Sequence, residues 1–160
     1  MRQSIGATWI LQLVIVFMLI FVGFLALSIN YTKAFRIKNE VLSIIEKYEG
    51  ISSGDDGSIA IINNFLRHNN YQTMGSCESG SYGVADLSNN TVVSVNDRSK
   101  YYYCVKKVNT RDSTYPNRVM YKIETFFKFN LPFLGDLFTF HVTGETLDIS
   151  WPEDDIPLDI

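Results

Sequence analysis

The sequence predicts an α+β fold in which one long N-terminal helix packs on a small antiparallel β-sheet. Three observations predict it: a single uninterrupted apolar run near the N-terminus, an amphipathic helical stretch directly behind it, and alternating strand-like segments through the C-terminal half. At 160 residues the chain suffices for one domain beyond such a helix, not two.

The apolar run is Thr8 to Ile29, TWILQLVIVFMLIFVGFLALSI, with Gln12 its only strongly polar interior residue. About 20 helical residues at ~1.5 Å each span the ~30 Å hydrocarbon core of a bilayer, so residues 1–32 read as a transmembrane segment. A secretory signal would have an apolar core of ~7–15 residues, shorter than this run, which favours a retained anchor. Ala26-Leu27-Ser28 nevertheless has the small-x-small form a signal peptidase accepts, so cleavage there is the alternative.

No glycine occurs between Gly23 and Gly50 and no proline before Pro116, so the helix is free to continue through residues 33–49. There Ile37, Val41, Ile44, Ile45 and Tyr48 recur at helical spacing, and Lys38, Glu40, Glu46 and Lys47 fall mostly off the stripe. One helix of about 45 residues would be ~65 Å long, half in lipid and half carrying the domain at 33–160. The turn cluster GISSGDDG at 50–57 ends it. A second helix is expected at 58–69, capped by Asp56 or Ser58, with Ile59, Ile62, Phe65 and Leu66 on one side. An Asn-, Gly- and Ser-rich loop follows to Ser81.

Strands fill the region from 82 to 149. Tyr82–Leu87 and Thr91–Val95 read as a hairpin across Ser88-Asn89-Asn90, and Tyr101–Val108 as the next strand. After the turn-forming TRDSTYPN, Arg118–Phe129 sets Val119, Tyr121, Ile123, Phe127 and Phe129 on one face and Lys122, Glu124 and Lys128 on the other. LPFLGD turns the chain, and Phe138, Phe140 and Val142 alternate with Thr139, His141 and Thr143. The helix at 33–49 is the expected cover for the sheet's apolar face. An acidic tail occupies 150–160.

The net charge of −3 makes nucleic acid a poor partner. Eight Lys/Arg crowd Arg98 to Lys128, while Glu145, Asp148, Glu153, Asp154, Asp155 and Asp159 follow without a base. The acidic end therefore lies beside the basic strands, is solvated, or docks on a neighbouring subunit. The two cysteines, Cys77 and Cys104, fit a disulfide outside the cytoplasm, with two separate buried thiols as the alternative. Tyr101, Tyr102 and Tyr103 cannot all face inward from a strand, so at least one is exposed or forms part of a binding face.

The catalytic inventory is thin. His68 and His141 have no ligand spacing with each other or with the cysteines, Asp55-Asp56-Gly57 falls short of a calcium loop, and no nucleophile, phosphate-loop or metalloprotease motif occurs. Neither metal nor cofactor is expected, and the chain reads as a non-enzyme.

Gly6 before the apolar run, the helix from Ala7 to Glu49, and the closing pattern FKFNLPFLGDLFTFHVTGET at 127–146 together resemble the type IV pilin-like superfamily, within it the TadE-like pseudopilins of bacterial tight-adherence systems. The resemblance implies cleavage by a prepilin peptidase after Gly6, leaving Ala7 as the new N-terminus. It also implies membrane lipid and other pilin-like or envelope-complex subunits as partners, in an oligomeric pilus or secretion filament. Pilins usually carry a Glu five residues into the mature chain; that position here is Leu11, and Gln12 beside it offers an interhelical hydrogen bond instead. A minor or anchoring subunit is therefore expected rather than a major fibre subunit. On orientation two arguments conflict. Lys33, Arg36 and Lys38 against Arg2 would hold the C-terminal part in the cytoplasm by the positive-inside rule. The cysteine pair and the translocated domains of pilin-type proteins place it outside, and the extracytoplasmic side of the cell membrane is the expectation adopted. The alternatives are a membrane-tethered surface ligand-binding module and an accessory subunit of another envelope complex.

Overall fold

The computed structural model describes the backbone of residues 2–96, 98–109, 118–131 and 135–150, and the side chains of 8–96, 98–108, 118–128 and 139–150. Helix α1 runs unbroken from Arg2–Lys47, and α2 follows at Ser58–His68. The strands are β1 (Tyr82–Val84), β2 (Val93–Ser94), β3 (Tyr103–Asn109), β4 (Arg118–Leu131), β5 (Gly135–Glu145) and β6 (Ile149–Ser150). They form one antiparallel sheet in the order β2-β1-β3-β4-β5, with β6 pairing the start of β4. The expected α+β class is thus the observed one.

The continuity of α1 follows from its composition: no residue from Phe24 to Glu49 is a glycine or proline that would break the ladder. Its end is set by Glu49 and Gly50, both at positive φ, with the Gly50 N–H donating to the Ile45 carbonyl at 2.9 Å. This six-to-one closure satisfies a terminal carbonyl and reverses the chain. Helix α2 ends the same way, with Asn70 at positive φ and the Tyr71 N–H donating to Leu66. The start of α2 differs from expectation. Its cap is Gly57, without a side-chain bond, while Ser52 and Ser58 exchange N–H to hydroxyl bonds at 2.9 and 3.0 Å. A side chain at Gly57 would collide with the Ser52 carbonyl, so the turn admits no larger cap.

The main core lies between the helices and one sheet face. From α1 it takes Ile37, Val41, Ile44 and Ile45; from α2, Ile59, Ile62 and Leu66; from the sheet, Val84, Tyr103, Val105, Tyr121 and Ile123. Each aliphatic side chain fully buried here contributes about 1.5–3 kcal/mol. Val119 and Phe127 are half-buried on the expected face, and Thr125, buried there too, breaks the expected apolar alternation. Tyr48 ends the stripe at 40% exposed, because the helix unwinds beneath it.

The hairpin forms, but with strands much shorter than expected. Asp86 accepts the Ser88 N–H through its side chain and the Asn89 N–H through its carbonyl. This turn tucks Leu87 into the core and leaves only Tyr82↔Ser94 and Gly83↔Val93 in register. The expected turn at 110–117 and the tail at 151–160 lie outside the described residues.

Candidate functional site

Two features distinguish this molecule: an exposed apolar helix half and a covered back face of the sheet. Every large apolar side chain from Trp9 to Phe24 on α1 is exposed, Trp9 at 72% and Phe17 at 65%. The helix is long and apolar enough to cross a membrane once. Burial on α1 begins only at Ala34. Trp9 and Tyr31 are 22 residues apart, ~33 Å of helix, which matches a hydrocarbon core flanked by interfacial aromatics. At the Tyr31 end the ring stacks on Phe35, and the Lys38 ammonium sits 4.3 Å from the Phe35 ring centre. This aromatic and basic collar suits the polar boundary of a bilayer.

Gln12 is exposed on this half, beside Trp9, Leu13 and Val16. Gly6 and Ala7, the expected processing site, lie within α1, and their surroundings are outside the described residues.

Cys77 and Cys104 are joined in a disulfide, with Cα atoms 5.8 Å apart. Cys104 points away from α1, on the face of β3 opposite Tyr103 and Val105, and packs with Tyr101 and Phe126 in a second small core. The segment 69–81 crosses this back face. Gly75 and Tyr101 exchange backbone hydrogen bonds at 2.9 Å, and Gly75 lies so close to the Phe126 ring that a Cβ would overlap it. Tyr71 anchors the start of the crossing. Its hydroxyl accepts the Phe126 N–H at 2.7 Å and donates to the Phe126 carbonyl, satisfying β4 just beyond its last pair with β3. Burial raises the Tyr71 and Tyr103 phenol pKa values well above the ordinary range.

The basic strands are partly neutralised on this face. Lys106 and Lys122 stand opposite each other in register, and Glu78 from the crossing segment reaches both, at 3.3 and 3.7 Å. Those two cations hold the Glu78 carboxyl below its ordinary pKa. Asp148 lies 3.7 Å from Arg118, so one acid of the C-terminal group does sit beside the basic strands.

The binding face expected at Tyr101, Tyr102 and Tyr103 is corrected by their burial. Tyr101 is 2% exposed in the back core and Tyr103 is fully buried in the main one; Tyr102 is half-buried against it. Three adjacent rings can go inward because Tyr101 precedes the strand: the chain bends at Tyr102, so strict alternation starts only at Tyr103. The Tyr103 hydroxyl donates to Asn63, itself 1% exposed, at 3.1 Å. Sequence reasoning missed Asn63, whose position on the apolar side of α2 between Ile59 and Leu66 was the available signal.

Among the described residues, no three His, Cys, Asp or Glu side chains converge as metal ligands, and His68 and His141 are both exposed. No family model, curated protein or solved structure matches the chain.

Proposed function

We propose that this chain is a non-catalytic, membrane-anchored subunit of pilin-like build that helps a bacterial surface pilus or secretion filament assemble. The observation that carries the reading is the unbroken course of α1 from an exposed apolar half into the core of the domain. An ordinary anchor needs only a flexible tether at the membrane surface. A continuous helix instead fixes the domain's orientation to the packing of its lipid-embedded half, which a subunit in a helical assembly requires. The disulfide supports an extracytoplasmic domain, because cytoplasmic thiols are kept reduced. Within the membrane, Gln12 supplies the polar contact between neighbouring helices.

The test is the protein in its native membrane. Intact mass of the extracted chain should correspond to a start at Ala7, and a chain still beginning at Met1 removes the processing step. A Gln12→Cys variant should form disulfide-linked oligomers on mild oxidation of membranes. Exclusively monomeric protein would remove the assembly role.

A further inference from the structure

Where α1 leaves its apolar half, a cleft opens between the helix, the start of the crossing segment and β4. Helix α1 contributes Asn30 and Lys33, the crossing segment Asn70, Gln72 and Thr73, and β4 Lys128. These six are amides, a hydroxyl and two cations, and no Asp or Glu lines the cleft. The buried side chains at its base, Ala34, Ile37 and Phe126, are apolar. The cleft holds about 120 Å³. One ordered water needs only about 10–15 Å³, so a phosphate-sized group fits.

The fold holds the polar side of the cleft in place. Asn70, at positive φ, turns the chain out of α2, and the Tyr71 N–H closes that turn on the Leu66 carbonyl at 2.9 Å. Tyr71 then points inward, its hydroxyl accepting the Phe126 N–H at 2.7 Å. Its neighbours Asn70 and Gln72 are left exposed, with Thr73 half-buried beside them. Donors fixed beside a pinned residue lose less freedom on binding than donors on a mobile loop.

The cleft also stands at a definite height along α1. A hydrocarbon core of about 30 Å entered near Trp9 takes about 20 helical residues and ends close to Ile29. The headgroup layer beyond it adds about 5–7 Å, or about four more residues. Asn30 and Lys33 therefore stand level with lipid phosphates, beside the Tyr31–Phe35 stack. Below Asn30 on the same helical face come Ala26 and Gly23, whose small size leaves room along the helix for an acyl chain.

We infer that this cleft binds the phosphate of an anionic phospholipid headgroup. Lys33 and Lys128 supply the charge, and the amides of Asn30, Asn70 and Gln72 with the Thr73 hydroxyl supply directional hydrogen bonds. The source is membrane lipid rather than free phosphate, because a bilayer holds phosphate at this height at high effective concentration. A lipid seated between helix and sheet would fix the domain's tilt over the membrane surface.

The inference rests on the membrane-anchored reading, and the experiment separates the two. Full-length protein in nonionic detergent is titrated with phosphatidylglycerol or phosphatidylcholine, and bound lipid is counted by native mass spectrometry. One phosphatidylglycerol should bind per chain, ahead of any phosphatidylcholine. A lysine beside an anionic lipid surface is worth about fivefold in affinity, so Lys33→Gln/Lys128→Gln should weaken that first binding by about tenfold or more. Gln72→Leu/Thr73→Val, which leaves the charge unchanged, should weaken it by about threefold or more. Arg36→Gln, a neighbouring cation outside the cleft, should leave it unchanged. Thiol counting verifies the disulfide in each variant. Should the lysine pair fail that check, Gln72→Leu/Thr73→Val decides alone, and unchanged binding there overturns the site. Equal losses for Arg36→Gln and the lysine pair mean diffuse charge and also overturn it. Displacement of phosphatidylglycerol by inorganic phosphate at equal concentration assigns the cleft to the free ion and overturns the lipid. Absence of any phosphatidylglycerol preference overturns the cleft, while resistance of the protein to alkaline carbonate extraction from native membranes still upholds the anchor. Release by carbonate overturns the anchor itself.

Discussion

Tyr71 and Tyr103 bury phenols whose hydroxyls complete hydrogen bonds that secondary structure leaves open, one at the end of the β3–β4 pairing and one at Asn63 on α2. Both are held neutral by burial, and their pKa values in the fold lie above the unfolded value of about 10. The sign of the linkage follows. Below pH ~10 both states bind the proton, and this contribution to stability is complete. Above it the unfolded phenols ionise while the folded ones do not, and stability falls as pH rises toward the folded pKa values. In an alkaline titration, tyrosinate absorbance at 295 nm should therefore leave at least two of the nine tyrosines un-ionised until the circular dichroism signal collapses. Full ionisation of all nine in a still-folded chain would contradict the burial. Nothing in the pattern YYYCVKKV distinguishes Tyr101, in the back core, from Tyr103, in the main one, because the bend at Tyr102 is imposed by pairing partners distant in sequence.

Among the elements, the crossing segment at 69–81 depends most on covalent help. It is held by a two-bond bridge at Gly75, the Tyr71 hydroxyl, exposed contacts of Glu78 and the disulfide. Closing a loop of 27-residue separation stabilises by about 3.5 kcal/mol in the chain-entropy model. Cys77→Ser/Cys104→Ser should accordingly lose about 2–4 kcal/mol in denaturant unfolding in detergent. Hydrogen exchange should rise first at Gly75, Tyr101 and Cys104, and α1 amides from Ile37 to Ile45 should stay protected. Uniform loss of protection across both faces would mean that the back core is not a separable unit. Helix α1 was readable from its stripe, because a 3.6-residue period reports directly on the buried face. The short β1 and β2 were not, since strands of three and two residues are too brief for a two-residue period to mark their ends.

At the scale of the whole molecule, the apolar half of α1 adds nothing to the core, for burial starts at Ala34. A chain beginning at Asn30 should therefore fold with its disulfide intact and lose resistance to alkaline carbonate extraction. A fragment that fails to oxidise or shows no cooperative unfolding would mean that the membrane half is required for the fold.

The sequence by itself determined the long helix, its apolar and amphipathic halves, the second helix and the antiparallel character of the sheet. Each is written in local periodicity, and local periodicity is a property of neighbouring residues. Tertiary structure alone decided that the sheet has two cores and that Tyr101 and Tyr103 are buried in different ones. Those outcomes depend on strand register and on the packing of α1 against the sheet, which arise when segments far apart in sequence come into contact.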